Sequence, residues 1–468
     1  MAPSNVRRWR RTTNGRVSED VFLTRKMVAS IVPTVKTVAW LALTALVTSC
    51  TYPFLFGRSK VPSGPNALSA AFDSATATAS LRWHKPAVKD FRRYRVERSN
   101  GRGYAPVAEV TRFADTSYVD DGLLSDEVHR YRVVTVFGGR PDSEEGDYDS
   151  LLSAEVAGGI HRFVNSWPVA EGFLPTRMAI NSQGVLHVVG AGANWVERFD
   201  RGGNSMGRWQ YAAEENACLE TGTLDGPGVA FDTDDNLYVL YNSRRLGQSP
   251  QARWSKFDTQ GNEVWTSDLN GVFARHIAIH GKEIFIESIS HLKQFDTSGE
   301  SVADYRVPAL LVSSLRFWHG NFAALVEPLN FSQVGWQSPR LVIYSGATRD
   351  QVEATIGRDP MTETDRGAGL LNRPSDFAVD ESTDRAFVVN AGRGRIEVFR
   401  DGRYLTRWGK RTDGSGSFNF TGTLAVIDDM SDGSLREKEV VAGGIARDVD
   451  GTIYVADTFS DRIHKYHP

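Results

Sequence analysis

The C-terminal stretch Gly443–Tyr466, GGIARDVDGTIYVADTFSDRIHKY, contains the pattern that decides the fold. It holds three short runs of β-branched and aromatic residues, which begin at Ile445, Ile453 and Arg462. Asp-Gly and Ser-Asp turns separate these runs, and such turns between β-branched runs indicate antiparallel hairpins. The stretch therefore predicts three consecutive strands of one sheet.

The same three-strand pattern occurs five more times upstream. These copies span Met178–Phe199, Val229–Phe257, Ile277–Phe295, Leu315–Tyr344 and Phe377–Phe399. A fourth apolar run follows each of the five, but none follows the last copy before Pro468. The segment His161–Trp167, HRFVNSW, precedes the first copy and has the pattern of the missing strand. Six four-stranded units closed by an N-terminal strand predict an all-β fold, a six-bladed β-propeller.

The repeat resembles the NHL family. The sixth copy carries most of that pattern, with Ile-Ala, Asp-Gly, Tyr-Val-Ala-Asp and Arg-Ile followed by an aromatic residue. The fifth copy carries Pro374, Phe377–Asp380 and Arg395-Ile396, whereas Arg316 in the fourth stands where other copies have alanine. The resemblance covers residues 159–468 and implies the fold, but propellers have many activities.

A candidate signal peptide occupies residues 1–50. Thr37–Ser49, TVAWLALTALVTS, is an uncharged apolar run that is too short to span a bilayer and suits a signal-peptide core. It ends in Val-Thr-Ser-Cys50, which resembles the bacterial lipobox and implies that Cys50 is lipidated. A buried apolar helix is the alternative. The long segment before Met27 favours translation from that methionine.

A tether and a second domain are predicted between the signal peptide and the propeller. Residues 51–64 are rich in Pro, Gly and Ser, and residues 65–158 show alternating strand patterns. The latter segment resembles a fibronectin type III domain. The resemblance implies that Trp83 packs in the sandwich core and that the Tyr131 hydroxyl ties down a loop.

The net charge and the cysteine count indicate which partners and which cell compartment to expect. The chain has 468 residues and a formal net charge of −3, and residues 50–468 alone hold 46 Lys or Arg and 55 Asp or Glu, a balance of −9. An acidic mature chain argues against nucleic acid as a partner. The two cysteines are Cys50 and Cys218. If Cys50 carries a lipid, no intrachain disulfide is expected, and Cys218 is predicted to be a small, half-buried residue. The chain is predicted to be a lipid-anchored, extracytoplasmic protein of the cell envelope.

A ligand site is predicted at one mouth of the propeller channel. No local catalytic motif occurs in the sequence, so a site would be assembled from equivalent positions of different blades around the axis. The residues that start the six inner strands are expected to ring this mouth: Arg177, Gly228, His276, Ser314, Asp376 and Gly444. Arg177, His276, Arg316 and Asp376 form the candidate site. Their net positive charge favours an anionic ligand. The alternative is an ordinary water-filled channel lined by satisfied polar groups.

The predicted function is recognition of a protein or glycan partner by a membrane-anchored scaffold, without catalytic residues, metal or cofactor. The long insertions at residues 212–224 and 413–441 are candidate binding loops. The NHL resemblance leaves an alternative open, a metal-dependent lyase or lactonase that holds zinc or calcium on the axis. Only His276 and Asp376 would serve such a metal, and two arginines at the same mouth oppose it.

Overall fold

The structure is a computed structural model. It describes residues 67–99, 103–123, 129–138, 148–211, 218–220, 223–243, 251–269, 273–288, 291–306, 310–328, 338–345, 351–360, 367–409, 418–429 and 434–467. The predicted signal peptide, Cys50 and the tether lie outside these residues. Within the described ranges, no helix is long and apolar enough to cross a membrane.

Two antiparallel sheets form the N-terminal part of the described chain. Their strands are β1 (Leu68–Asp73), β2 (Thr78–Trp83), β3 (Phe91–Ser99), β4 (Tyr104–Val110), β5 (Ser117–Asp120), β6 (His129–Phe137), β7 (Asp149–Leu152) and β8 (Val156–Gly158). The first sheet has the order β1-β2-β5, and the second has the order β4-β3-β6-β7, with β8 also paired to β6. Leu81 and Trp83 of one sheet pack against Tyr94, Tyr131 and Val133 of the other, so the two sheets share one core.

Tyr131 is fully buried in this core, and its hydroxyl donates a hydrogen bond of 2.6 Å to the Asp120 carboxylate. Arg98 donates to the same oxygen of Asp120 at 2.7 Å. The tyrosine therefore ties down the end of β5 through a side chain that is itself held by an ion pair. Burial and this hydrogen bond raise the pKa of Tyr131 well above its usual value.

Six further four-stranded antiparallel sheets follow. Ring sheet 1 consists of β10 (Pro175–Ile180), β11 (Leu186–Gly190), β12 (Trp195–Phe199) and β13 (Ser205–Gln210). Ring sheet 2 consists of β16 (Gly228–Phe231), β17 (Leu237–Ser243), β18 (Gln251–Phe257) and β19 (Glu263–Asp268). Ring sheet 3 consists of β20 (His276–His280), β21 (Glu283–Ser288), β22 (His291–Phe295) and β23 (Ser301–Arg306). Ring sheet 4 consists of β24 (Leu310–Trp318), β25 (Asn321–Pro328), β26 (Arg340–Ser345) and β27 (Gln351–Ile356). Ring sheet 5 consists of β28 (Asp376–Asp380), β29 (Arg385–Asn390), β30 (Arg395–Arg400) and β31 (Arg403–Trp408). Ring sheet 6 consists of β34 (Gly444–Arg447), β35 (Ile453–Asp457), β36 (Arg462–His467) and β9 (Arg162–Pro168).

The first strands of these sheets contact one another in a closed cycle. The order is β10, β16, β20, β24, β28 and β34, and β34 contacts β10 again. A separate buried hydrophobic cluster lies between each neighbouring pair of sheets. Because apolar burial is the main stabilising term in folding, each of these six interfaces contributes to the ring. The β-branched and aromatic runs recognised in the sequence supply these side chains.

Strand β9 completes ring sheet 6. It pairs antiparallel with β36, placing Trp167 opposite Ile463 and Ser166 opposite His464. The pairing of this N-terminal segment with the last strand, predicted from the sequence, is present. Trp167 is buried between neighbouring sheets and packs against Phe199 of ring sheet 1. The strand thus joins the two ends of the repeat array.

The two insertions contain strands rather than only loops, which corrects the sequence-based expectation. β14 (Cys218–Glu220), β15 (Thr223–Asp225), β32 (Thr421–Asp429) and β33 (Ser434–Val441) form one sheet of order β14-β15-β33-β32, named here the accessory sheet. Thr223 and Val441 pair in parallel although the chain between them forms most of the ring. Such a long-range pairing leaves no local sequence signal. Val440 and Ala442 pack with Phe459 of ring sheet 6 and Ala191 of ring sheet 1.

The N-terminal sheets contact ring sheet 5 directly. Thr406 donates a buried hydrogen bond of 2.6 Å to the Leu123 carbonyl, and Arg385 donates to the Ser74 carbonyl at 2.9 Å. His161, which was predicted to begin the closing strand, instead lies before it and stacks on Trp408. The N-terminal part is therefore docked on the ring at this contact.

Candidate functional site

The four residues of the predicted site come from four inner strands. Arg177 lies on β10, His276 on β20, Arg316 on β24 and Asp376 on β28. Arg177, His276 and Asp376 are almost fully buried, and the Arg316 side chain is one quarter exposed. The site is thus mostly inside the ring, and the partners of each side chain decide what it can do.

Arg177 reaches across the ring. Its Nη2 donates a hydrogen bond of 2.7 Å to the Ser313 carbonyl on β24, and its Nη1 donates to the Thr176 carbonyl at 2.9 Å. Strands β10 and β24 are three positions apart in the cycle, whichever way the ring is followed. The strand registers shift at Thr176 and at Ser313, so both residues lie in β-bulges. Because a bulge leaves a residue unpaired in the ladder, Arg177 bonds two carbonyls that the sheets do not use.

His276 is held in the same layer of the ring. Its Nε2 lies 2.8 Å from the Val312 carbonyl on the neighbouring ring sheet. Since a carbonyl only accepts, this nitrogen carries the hydrogen. Burial, followed by the positive charges of Arg177 and Arg275, lowers the pKa of His276 well below its usual value. His276 is therefore a neutral donor that links ring sheets 3 and 4.

Asp376 links ring sheet 5 to both neighbours. One carboxylate oxygen accepts from the Ser314 hydroxyl at 2.6 Å and from Arg316 Nη2 at 3.2 Å. The other oxygen accepts from the Ile445 backbone N–H at 3.0 Å. The carboxylate is fully buried, and these three donors offset the cost of removing its charge from water.

The structure thus brings the four predicted residues to the inner edges of the ring, where each has a protein partner. Arg177 and His276 bond backbone carbonyls, and Asp376 pairs with Arg316. Ligand binding by this set remains a prediction, as does the alternative of satisfied polar groups around a water-filled channel.

The central channel is a cavity of about 240 Å³. All six inner strands line it, mainly with Ala, Ile, Val, Met and Phe side chains. The charged residues in this lining are Arg316 and Arg447. Arg316 is the one member of the predicted set found in the lining.

Arg447 was not predicted as a site residue. It pairs with Asp380 through Nη2 at 3.0 Å. Arg385 pairs with the other oxygen of the same carboxylate, also at 3.0 Å. Hydrogen bonds from Ser382 and Thr383, together with the two arginines, hold the pKa of Asp380 far below its usual value against the opposing effect of burial.

A register comparison of the six copies would have singled out Arg447. Arg447 follows Gly444 by three positions, and the residues three positions after the other strand starts are apolar: Ile180, Phe231, Ile279, Phe317 and Val379. The bulges at Thr176 and Ser313 have a weaker signal, because Pro175 flanks the first and Ser313 and Ser314 occupy the second, and such residues are also typical of ordinary loops.

Metal ligation has no obvious donor set in the described residues. No group of three or more His, Cys, Asp or Glu side chains there is placed to hold an ion. His187, a further histidine of the repeat, packs between Trp209 and Phe231. Burial lowers the pKa of His187 to about 4.

Comparisons with known proteins show weak structural likeness. No protein family pattern matches the chain, and no curated protein matches it. Three similar solved structures are an auxiliary nutrient binding protein from Bacteroides ovatus, virginiamycin B lyase from Staphylococcus aureus and hydrazine synthase from Kuenenia stuttgartiensis. Their identities to this chain are 13%, 11% and 13%, and their TM-scores are 0.42, 0.39 and 0.41. The matches cover 87%, 66% and 64% of this chain and 100%, 99% and 97% of the others. At this level they say nothing about ligand or activity.

Proposed function

We propose that this chain is an extracytoplasmic lipoprotein that is anchored to a membrane by a lipid on Cys50 and recognises a protein or glycan partner. Its ring is proposed to be a six-bladed NHL-type β-propeller, which the closed cycle of inner-strand contacts supports. The N-terminal sheets are proposed to be a fibronectin type III-like domain between anchor and ring. The shared sandwich core and the buried Trp83 and Tyr131 support this assignment.

The accessory sheet is the observation that carries the binding role. Two insertions from distant parts of the chain combine into one sheet that packs on ring sheets 6 and 1. Closing the ring does not require these strands, because all six ring sheets are complete without them. Additional structure that is built on a rigid scaffold is where recognition surfaces commonly lie.

Membrane fractionation of Cys50→Ser tests the anchor. Each buried lipid CH₂ contributes about 0.8 kcal/mol, so loss of the lipid should move the protein from the membrane pellet to the supernatant. Cys218→Ser is the matched control, because it removes the other cysteine and should leave the protein in the pellet. Pelleting of Cys50→Ser in a detergent-soluble form would contradict the lipoprotein assignment.

Ligand screening with the released Cys50→Ser protein tests recognition. Immobilised acidic and neutral glycans and envelope proteins are the candidate partners. If the predicted set around Arg316 contributes, Arg316→Ala should weaken binding by about 2 kcal/mol. Stoichiometric zinc or calcium in the purified protein would instead favour the metal-dependent lyase or lactonase.

A further inference from the structure

The lining of the central channel is unusual in its charges. Its walls are apolar, yet two arginines, Arg316 from ring sheet 4 and Arg447 from ring sheet 6, are among the lining residues. Both side chains remain partly exposed, 25% for Arg316 and 18% for Arg447, so solvent reaches them. Arg316 pairs with buried Asp376 at the start of β28, and Arg447 pairs with buried Asp380 at its end. The channel thus combines an apolar surface with two cations that are held in place.

The charge of Arg447 is only partly compensated. Asp380, its partner, gives its second oxygen to Arg385, so one carboxylate serves two guanidinium groups. Arg385 also interacts through charge with Asp73, whose pKa is lowered mainly by the Thr76 hydroxyl.

Arg316 adds positive potential at the other end of β28, where Asp376 lies. Its Nη2 bonds Asp376, and that carboxylate also accepts from the Ser314 hydroxyl and the Ile445 N–H. Burial is the largest cause of the lowered pKa of His276, and the positive charges of Arg177, Arg275 and Arg316 lower it further. An apolar wall keeps the local dielectric low, so the attraction of these cations for an anion is stronger than in water.

We propose that the channel binds a small carboxylate with an apolar body, whose charged end is met by the guanidinium group of Arg447, while Arg316 at the other end of β28 adds positive potential. Guanidinium forks match carboxylates in charge and in the spacing of their donors. The apolar body fits the walls, since an engineered apolar cavity of about 150 Å³ holds benzene. The channel volume of about 240 Å³ leaves room for a ring and its carboxylate. This site presupposes only the part of the proposed function in which the ring binds a ligand.

The test uses 4-fluorobenzoate as the probe and the purified full-length protein in detergent, followed by fluorine NMR. The neutral amide 4-fluorobenzamide has nearly the same shape and is the control probe. We expect 4-fluorobenzoate to bind at least about tenfold more tightly than the amide, because only the acid forms an ion pair with the guanidinium group of Arg447. Equal affinities, or no binding of 4-fluorobenzoate up to about 10 mM, would overturn the proposal.

Substitutions locate the bound acid. Arg447→Met should weaken 4-fluorobenzoate binding at least about tenfold and leave amide binding unchanged, whereas Arg447→Lys should recover part of the loss. Arg403→Met, at an exposed position on β31, is the matched control. In the Arg447 variants, the buried Asp380 carboxylate still forms its ion pair with Arg385, which favours folding. Unchanged binding in Arg447→Met overturns the site. If that variant does not fold, the comparison of the two probes on the unmodified protein still decides.

Failure of this site is distinguishable from failure of the proposed function. If the glycan and protein screen finds a partner but 4-fluorobenzoate does not bind, the channel site is wrong and the binding role stands. If 4-fluorobenzoate binds as expected and no macromolecular partner is found, the channel site stands and the proposed partner class is wrong.

Discussion

The imidazole of His161 stacks on the indole of Trp408, with ring centroids 4.6 Å apart and planes 23° from parallel. This contact lies where the chain leaves the N-terminal sheets and enters the ring. Neither nitrogen of the buried imidazole has a hydrogen-bond partner among the described residues. Burial lowers the pKa of His161 from its usual 6.5 to about 3. The stacked imidazole is therefore uncharged in the folded protein at neutral pH.

Acid should destabilise the protein through this contact. Between pH 6.5 and 3 the unfolded chain binds a proton at His161 and the folded chain does not. The free energy of unfolding should therefore fall as the pH decreases below 6.5, by up to about 1.4 kcal/mol per pH unit from this group. His161→Phe keeps an aromatic stack and removes the titration, so its pH dependence should be shallower. His187 keeps some acid sensitivity in the variant.

Urea denaturation from about pH 7.5 to about pH 4.5 measures the effect. His84→Phe, at an exposed position, is the control and should retain the steeper dependence of the original protein. Equal slopes for His161→Phe and the original protein would show that His161 does not contribute to the acid sensitivity.

Ring closure should depend on Trp167. It is 7% exposed and packs against Phe199 and Tyr454, so Trp167→Ala leaves a cavity between ring sheets 6 and 1. We expect a loss of about 3–5 kcal/mol in the free energy of unfolding. Val164→Ala, on the same strand but 38% exposed, should change stability little. Thermal unfolding compares the two, and similar melting temperatures would mean that the packing of Trp167 is not needed to close the ring.

Much of the fold can be predicted from the sequence, because the strand runs and turn residues recur with the repeat. The pairing of β9 with β36 follows from the unmatched run at residues 161–167, since one sheet otherwise lacks its fourth strand. The accessory sheet could not be predicted, because the parallel pairing of Thr223 with Val441 joins segments without a common pattern.

The candidate site could likewise be predicted only in part from the sequence. Register alone brings Arg316 and Asp376 to neighbouring strands, where they pair. The bond from Arg177 to Ser313 depends on two β-bulges, and the Pro and Ser residues at these bulges do not specify them, because such residues are equally typical of turns and strand ends. Pairing across the ring is therefore visible only in three dimensions.

The accessory sheet should be sensitive to Gly422. A Cβ at this position would overlap the aromatic ring of Phe459, on which the sheet packs. Gly422→Ala should therefore lower the melting temperature, and combining it with Phe459→Leu should cost less than the two single changes added together. Gly103→Ala is the control, because no atom lies within 4 Å of a Cβ there. Strict additivity in the double-mutant cycle would contradict the packing of Gly422 on Phe459.

Arg177 should stabilise the ring rather than serve only a ligand. Arg177→Met retains most of the side-chain volume but leaves the Ser313 and Thr176 carbonyls without their donor. Hydrogen bonds from charged donors contribute about 1.5–3 kcal/mol each, and water entering the gap would offset part of the loss. We therefore expect the free energy of unfolding to fall by about 2–3 kcal/mol in urea denaturation. Arg177→Lys should recover little, because one ammonium lacks the fork that serves two carbonyls.

Arg403→Met on the exposed face of β31 controls for the loss of one arginine and should be neutral within about 0.5 kcal/mol. Comparing stability with ligand affinity then separates the two roles of Arg177. A destabilised Arg177→Met variant that retains full affinity for the partner would assign Arg177 to the architecture of the ring. Unchanged stability together with an affinity loss of about 2 kcal/mol would instead place Arg177 in the recognition site and contradict a structural role for the bond to Ser313.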